Sequence, residues 1–252
     1  MRLPDPILEK DFPVRHYELD SRGSVTPVTL LNYLQDTAGL HAAHLGVAMS
    51  DLHKSGLTWV LSRVHMLIAQ YPRAEETVTV RTWPSTRQGL FSFREFEMTG
   101  NRGTHYLKAT TSWAALNLRT RRPVKLEGHL PDYPLLPQRV IDDDFSSLPL
   151  FSDPATRELP FRVLRSDLDS NHHVTNTVFA QWALEAIPDE VAANWLAELE
   201  IAFRAETFYG ETILSRCFAA QGDQCLHQIV NRETGRELAR GRTRFEKTGG
   251  KT

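Results

Sequence analysis

The sequence predicts an α+β fold built twice, each copy a long helix set against an antiparallel sheet. Three observations predict it. A proline-dense, aperiodic segment, residues 128–159, divides the 252-residue chain. On each side of it, one helical pattern is followed by four extended stretches. Short strings also recur at matching places: "DSRGSV" (residues 20–25) lies over "DSNHHV" (residues 169–174), and "ETV" at Glu76 matches "ETI" at Glu211.

The elements follow in order. In the first copy "FPVRHYELD" is expected as a short strand. Thr26 offers an N-cap and Pro27 the first helical position, where a missing N–H costs nothing. Val28, Leu31, Ala38 and Leu45 keep helical spacing until Gly46 stops the run. Four strands are expected in "TWVLSRVHMLIAQ", "ETVTVRTWP", "LFSFREFEM" and "HYLKATTSWAALNL", with Gly100 and Gly103 turning between the last two. The second copy opens with "LPFRVLRSD". Thr175 or Asn176 caps a helix whose apolar face is Phe179, Trp182, Ala183 and Ala186, closed by Pro188. "WLAELEIAFRAE", "TILSRCFAA", "CLHQIVNR" and "ELARGRTRFEK" are its strands, with Gly222 and Gly235 in the turns. A sheet curled around one long helix is a hotdog fold. The expectation is a tandem (double) hotdog, with halves at residues 1–127 and 160–252.

Composition narrows the function. With 41% apolar and 24% charged residues the chain can bury a core, and a formal net charge of -2 argues against nucleic acid or an anionic membrane surface. Two cysteines, Cys217 and Cys225, are too few for a disulfide framework or a metal cluster and read as buried thiols. The start lacks an apolar signal stretch, and no window approaches the roughly 18 apolar residues of a membrane helix. A soluble protein of a reducing compartment is expected, with no metal and no cofactor.

The two copies differ where chemistry is most readily placed. The first reads Asp20, Arg22, Ser24 where the second reads Asp169, Asn171, His173. If the backbone there is extended, residues i, i+2 and i+4 project together, so the trio shares a cleft while Ser170 and His172 point away. His173 then stands beside a helix N-terminus whose amides can receive an oxyanion. Carboxylate, amide, imidazole and amide N–H groups are the parts of acyl-group hydrolysis. The plainer alternative is that Asp169 and Asn171 form turns and Thr175 or Asn176 caps the helix. Asp167 and His172 are read that way, as a strand-end and a solvent-facing residue.

The string "RSDLDSNHHVTN", Trp182, "EAIP" (residues 185–188), "FRAE" (residues 203–206) and "ARGRTRFEK" (residues 239–247) together resemble the fatty acyl-ACP thioesterase family of plants and bacteria. The resemblance spans nearly the whole chain. It implies hydrolysis of a fatty acyl thioester on acyl carrier protein, with catalytic Asp169, Asn171, His173 and a strand glutamate, Glu206. The family often carries a cysteine after that glutamate. Here Thr207 stands there, which points to water rather than a thiol as nucleophile. The lack of a plant transit peptide suits a bacterial cytoplasmic enzyme.

The resemblance also implies that the first hotdog shapes the acyl-chain tunnel. Leu30, Leu34, Leu57, Trp59, Leu61 and Met66 are candidates for its lining, and plain core packing is their alternative. The phosphopantetheine-bearing carrier is acidic, so a basic landing surface is expected: Arg119, Arg121 and Arg122, or Arg240, Arg242 and Arg244 alternating on a strand. A monomer of two fused hotdogs would be complete, and a homodimer stays open. The rivals are a thioesterase acting on acyl-CoA and a non-catalytic acyl-binding hotdog protein.

Overall fold

A computed structural model of the protein describes residues 5–149, 151, 154–219 and 223–247. The chain divides into two compact units, Met1–Asp144 and Phe145–Thr252. Gly222, expected in a turn, lies outside the described residues.

The first unit runs β1 (Leu8–Pro13), α1 (Pro27–His44), α2 (Met49–Lys54), β2 (Leu57–Ile68), β3 (Thr77–Gln88), β4 (Phe91–Gly100) and β5 (His105–Asn117). Its strands pair antiparallel in the order β1-β3-β4-β5-β2. The second unit runs β6 (Arg157–Arg162), α3 (Asn176–Glu185), α4 (Asp189–Ala192), β7 (Trp195–Phe203), β8 (Thr212–Ala219), β9 (Gln224–Asn231) and β10 (Glu237–Glu246). Its antiparallel order is β6-β8-β9-β10-β7. The two orders are the same, strand for strand.

Helix α1 begins as its residues dictate. Thr26 Oγ1 accepts the Thr29 amide at 3.1 Å, and Pro27 occupies the first turn. Leu30, Leu31, Tyr33, Leu34, Thr37, Ala38 and His41 form the buried stripe, which lies against β1 and β3. Gly46 ends the run at φ +70°, a conformation glycine adopts without a Cβ clash. In the second unit the shorter α3 buries Thr177, Phe179, Ala180, Trp182 and Ala183 over β8 and β9. Phe179 meets Trp182 edge-on at 5.3 Å, and Ser215 Oγ on β8 donates to the Trp182 carbonyl at 2.8 Å.

Three boundaries depart from the sequence reading. "FPVRHYELD" is only the tail of a strand: β1 lies earlier, and His16–Glu18 is a 3-10 turn. Glu18 Oε2 accepts the Arg15 amide at 2.8 Å, closing the turn on itself, and Asp167 Oδ2 does the same to the Leu164 amide in the second unit. β7 stops at Phe203, because the Arg204 and Ala205 amides both donate to the Leu238 carbonyl, at 2.8 and 3.1 Å, which breaks the ladder. The short helices α2 and α4 carry too few residues for a readable period. No helix among the described residues is long and apolar enough to cross a membrane.

Candidate active site

The polar segment ahead of α3 is a tight loop, which corrects the extended backbone expected for it. Leu168 and Val174 form an isolated antiparallel bridge, and His172 between them has φ +63°. Asp169 folds its carboxylate back into the loop, where Oδ1 accepts the amides of Asn171 (2.8 Å) and His173 (3.0 Å). A short acid beside free amides favours this closure over a strand.

The first unit makes the same loop. Asp20 Oδ1 accepts the Arg22 and Ser24 amides at 2.9 and 3.1 Å, Leu19 bridges Val25, and Gly23 at φ +72° stands where the second unit has His172. The aspartate therefore serves the loop in both copies, and the copies part company at the residues it positions. Asp169 Oδ2 lies 3.5 Å from Asn171 Nδ2, turning that amide toward the carboxylate.

His173 and Glu206 meet. Nδ1 of the imidazole is 3.6 Å from Oε1 of the carboxylate, and their side chains are 29% and 34% exposed, so water reaches both. Glu206 belongs to the irregular segment after β7 rather than to a strand, which corrects its expected place. The loop break at Leu238 is what brings it off the sheet. Phe208 packs edge-on against the His173 ring at 5.6 Å.

Matching Glu76 to Glu211 sets Tyr71 over Glu206. Each of those glutamates holds its turn by accepting an amide three residues back, Arg73 at 2.6 Å and Phe208 at 3.1 Å. Burial raises the Tyr71 phenol above its usual range, and Asp20 and Arg22 are the charges it senses. A phenol that keeps its proton, facing Ser24's loop, is no substitute for a carboxylate–imidazole pair.

Other candidate groups are committed elsewhere. Thr207 is fully buried and its hydroxyl donates to Glu211 Oε2. Cys217 and Cys225 are free thiols buried in β8 and β9; the hydrogen bond between them raises the Cys217 thiol and lowers that of Cys225. The N-cap of α3, Thr175, spends its hydroxyl on the Asp167 carbonyl at 3.0 Å and makes no side-chain cap bond. The opening amides of α3 thus lack the capping oxygen that Thr26 gives α1. Among the described residues, Asp169, His173 and Glu206 do not form a metal-ligand group.

The remaining sequence candidates are scattered. Leu30 and Leu34 lie on α1 and Leu61 and Met66 on β2, all buried, while Trp59 donates Nε1–H to the Val47 carbonyl at 2.9 Å and packs on the cluster that holds Leu57 beside α2. Arg119, Arg121 and Arg122 are exposed beyond β5. Arg240, Arg242 and Arg244 form no basic surface. Arg240 is 7% exposed and bonded to Glu237, and Arg242 and Arg244 share Glu198, with Glu200 and Glu246 completing the neutralisation. Alternation along a strand places charges on one face but does not reveal the acids of the neighbouring strand. Sequence reasoning missed the exposed residues around the site: Leu164 (54%), Phe208 (46%) and Tyr209 (49%). Two adjacent aromatics before a glycine, in "TFYGE", were the available signal.

Comparison with known proteins bears on the whole chain. The family model for the acyl-ACP thioesterase N-terminal domain matches residues 6–132, and that for the C-terminal domain matches residues 152–247. The chain is 27% identical over 267 residues to a chloroplastic palmitoyl-acyl carrier protein thioesterase of Cuphea hookeriana, covering 97% of this chain and 63% of that protein. It is 27% identical over 281 residues to a chloroplastic oleoyl-acyl carrier protein thioesterase 1 of Arabidopsis thaliana, covering 95% and 76%. The chain thus spans less than two thirds of the length of the curated relatives it matches first. Among solved structures, an acyl-ACP thioesterase from Bacteroides thetaiotaomicron superposes with a TM-score of 0.85 at 26% identity, covering 96% of this chain and 98% of that one. A 12:0-ACP thioesterase from Umbellularia californica, 22% identical, shares the fold with a TM-score of 0.84 over 98% and 99% of the two chains.

Proposed function

Because the chain belongs to the acyl-ACP thioesterase family, we propose that it hydrolyses the thioester between a fatty acyl group and acyl carrier protein, releasing free acid and carrier thiol. The supporting observation is the His173–Glu206 approach at 3.6 Å, in the copy whose counterpart carries Ser24 and Tyr71 instead.

In this reading a water between Glu206 and His173 is the nucleophile. Its oxygen bonds to the carbonyl carbon while its proton passes to the carboxylate–imidazole pair; such base assistance is worth about 10²–10⁴-fold. Asn171, turned by Asp169, orients the water or the imidazole. Amides at the start of α3 receive the oxyanion, each such donor being worth on the order of 10²–10³ in turnover. The adduct then collapses, the C–S bond breaks, and the proton moves to the departing sulfur. Asp169 is a positioning residue, because its Oδ1 is taken by the loop. The first unit holds the acyl chain, with Leu30, Leu34, Trp59, Leu61 and Met66 as its lining, and Arg119, Arg121 and Arg122 stay as a carrier contact. The compartment proposed is the bacterial cytoplasm, where two free cysteines persist.

The test is steady-state turnover of a long-chain acyl-ACP with free acid as the product read. Glu206→Gln and His173→Ala are expected to lose at least about 10²-fold in kcat with unchanged melting. Thr207→Ala, which removes only a structural hydrogen bond, keeps most turnover. Wild-type rates in both of the first two variants would refute the role assignment. Binding without release of acid from any carrier or CoA thioester would turn the reading to a non-catalytic acyl-binding protein.

A further inference from the structure

Beside the His173–Glu206 pair lies a surface that the hydrolytic chemistry does not use. Arg165 is exposed, and its guanidinium stands 4.4 Å from the ring centre of Tyr209. Among the described residues no carboxylate is within ion-pair distance of it. The nearest acid in sequence, Asp167, accepts the Leu164 amide on Oδ2 at 2.8 Å and the Ser166 hydroxyl on Oδ1 at 3.5 Å. Many other arginines of this chain, among them Arg81, Arg139, Arg157, Arg216 and Arg242, do pair with acids. The exposed Phe208 and Tyr209 continue the surface to the imidazole, and Leu164 flanks it.

This surface is rigid in its backbone. Glu211 Oε2 accepts both the Thr207 hydroxyl and the Phe208 amide, the Gly210 amide donates to the Val163 carbonyl at 3.1 Å, and the Val163 amide donates to the Glu211 carbonyl at 2.9 Å. The aromatics are thereby held outward on a pinned turn. The first unit builds the same turn around Glu76, whose carbonyl accepts the Val14 amide at 2.8 Å, but there Arg73 and Ala74 replace Phe208 and Tyr209, and His16 replaces Arg165. The turn folds without the aromatics, so neither they nor the cation are a requirement of the fold. Exposing two rings and an unneutralised cation together needs another reason.

We propose that Arg165, stacked on Tyr209, binds the phosphodiester of the carrier's phosphopantetheine arm, with Phe208 and Tyr209 forming the wall along which the arm reaches the His173–Glu206 pair. A guanidinium offers several N–H donors to a phosphate, and stacking on the ring pre-orients them. The aromatic faces suit the apolar and amide segments of the arm, which carry no charge. The inference rests on the thioesterase reading and adds to it the chemistry that recognises the substrate's handle.

The experiment compares one acyl group on three thiols: carrier protein, CoA, and N-acetylcysteamine, which has the thioester but no phosphate. For Arg165→Ala the ratio of kcat/KM on the carrier substrate to that on the N-acetylcysteamine substrate is expected to fall about tenfold, through KM, as for a lost charge-assisted hydrogen bond. Tyr209→Ala is expected to lower the same ratio by a few-fold. A ratio equal to wild type in Arg165→Ala, or an equal fall on all three substrates, overturns the assignment. A loss on CoA with the carrier unaffected also overturns it. Failure of the wild-type protein to cleave any of the three is a separate result, and would refute the hydrolytic reading instead.

Discussion

Asp20 and Asp169 each accept two loop amides, at 2.9 and 3.1 Å in the first unit and 2.8 and 3.0 Å in the second. The bonds differ in what they position, Arg22 and Ser24 against Asn171 and His173, but not in what they stabilise. Both Asp20→Ala and Asp169→Ala are therefore expected to cost about 1–3 kcal/mol of stability, since each leaves amides without their acceptor. Only the second should disturb turnover, because only there does the loop hold an imidazole. Urea midpoints of the two variants decide the matter: a cost at Asp20 with none at Asp169 would mean the second loop is held by something else. The non-glycine φ of +63° at His172, where the first loop has Gly23, shows the second loop keeping its shape with a residue less suited to it.

The helices diverge in how they begin. Thr26 caps α1 with its side chain, whereas Thr175 reaches back to the Asp167 carbonyl and leaves the start of α3 open. Thr26→Ala should lower stability by about 1 kcal/mol through the lost cap, read as a lower melting temperature. No shift in melting would show the cap to be replaceable by water. For α3 the same hydroxyl, together with the Thr175 amide, instead ties the Asp167 carbonyl of the 3-10 turn Arg165–Asp167 to the helix entrance, so the element that presents Arg165 and the start of α3 are joined by two bonds. β7 contributes by ending early. Were its ladder to run on through the next few residues, Glu206 would be fixed in the strand and its side-chain direction set by the pleat.

Across the molecule, two five-strand sets of identical order carry different interiors. In the first unit Arg94 on β4 donates to His41 Nδ1 at 3.0 Å and to Thr82 at 3.2 Å; at the matching register positions of the second unit stand Cys225 and Cys217. Each unit nonetheless buries a histidine whose proton affinity is lowered, His41 in the first and His227 in the second. Burial, with the Arg94 charge adding to it, lowers His41 to about 4, and burial alone lowers His227 to about 4. An unfolded histidine takes its proton near pH 6.5, before the folded ring does, so stability is lost as pH falls from about 6.5 to 4 and is unaffected above that window. Each buried ring accounts for a loss of roughly 3 kcal/mol across that window, a tenfold change in proton affinity being worth about 1.4 kcal/mol. Denaturant midpoints at pH 7 and pH 4.5 should converge in His227→Gln relative to wild type. Equal pH slopes in the two proteins would show that His227 does not supply the loss.

The residues alone determined the duplication, the helix from Pro27, the five strands expected in each half and the polar segment that carries Asp169 and His173. Those features are local. A cap, a proline, a 3.6-residue stripe and a repeated "DS" string act within a few residues of themselves. Which groups meet was decided only when the chain closed. The 3.6 Å approach of His173 to Glu206 joins positions 33 residues apart through a ladder break at Leu238, and a third segment determines that break. Long-range pairing likewise set the fate of the arginines. Arg240, Arg242 and Arg244 looked like a basic face until β7 supplied Glu198 and Glu200, while Arg165, unremarkable in the string, ended on Tyr209 with no acid in ion-pair reach among the described residues. Charge is written in the sequence, but neutralisation depends on neighbours, and neighbours across a sheet are a property of the fold.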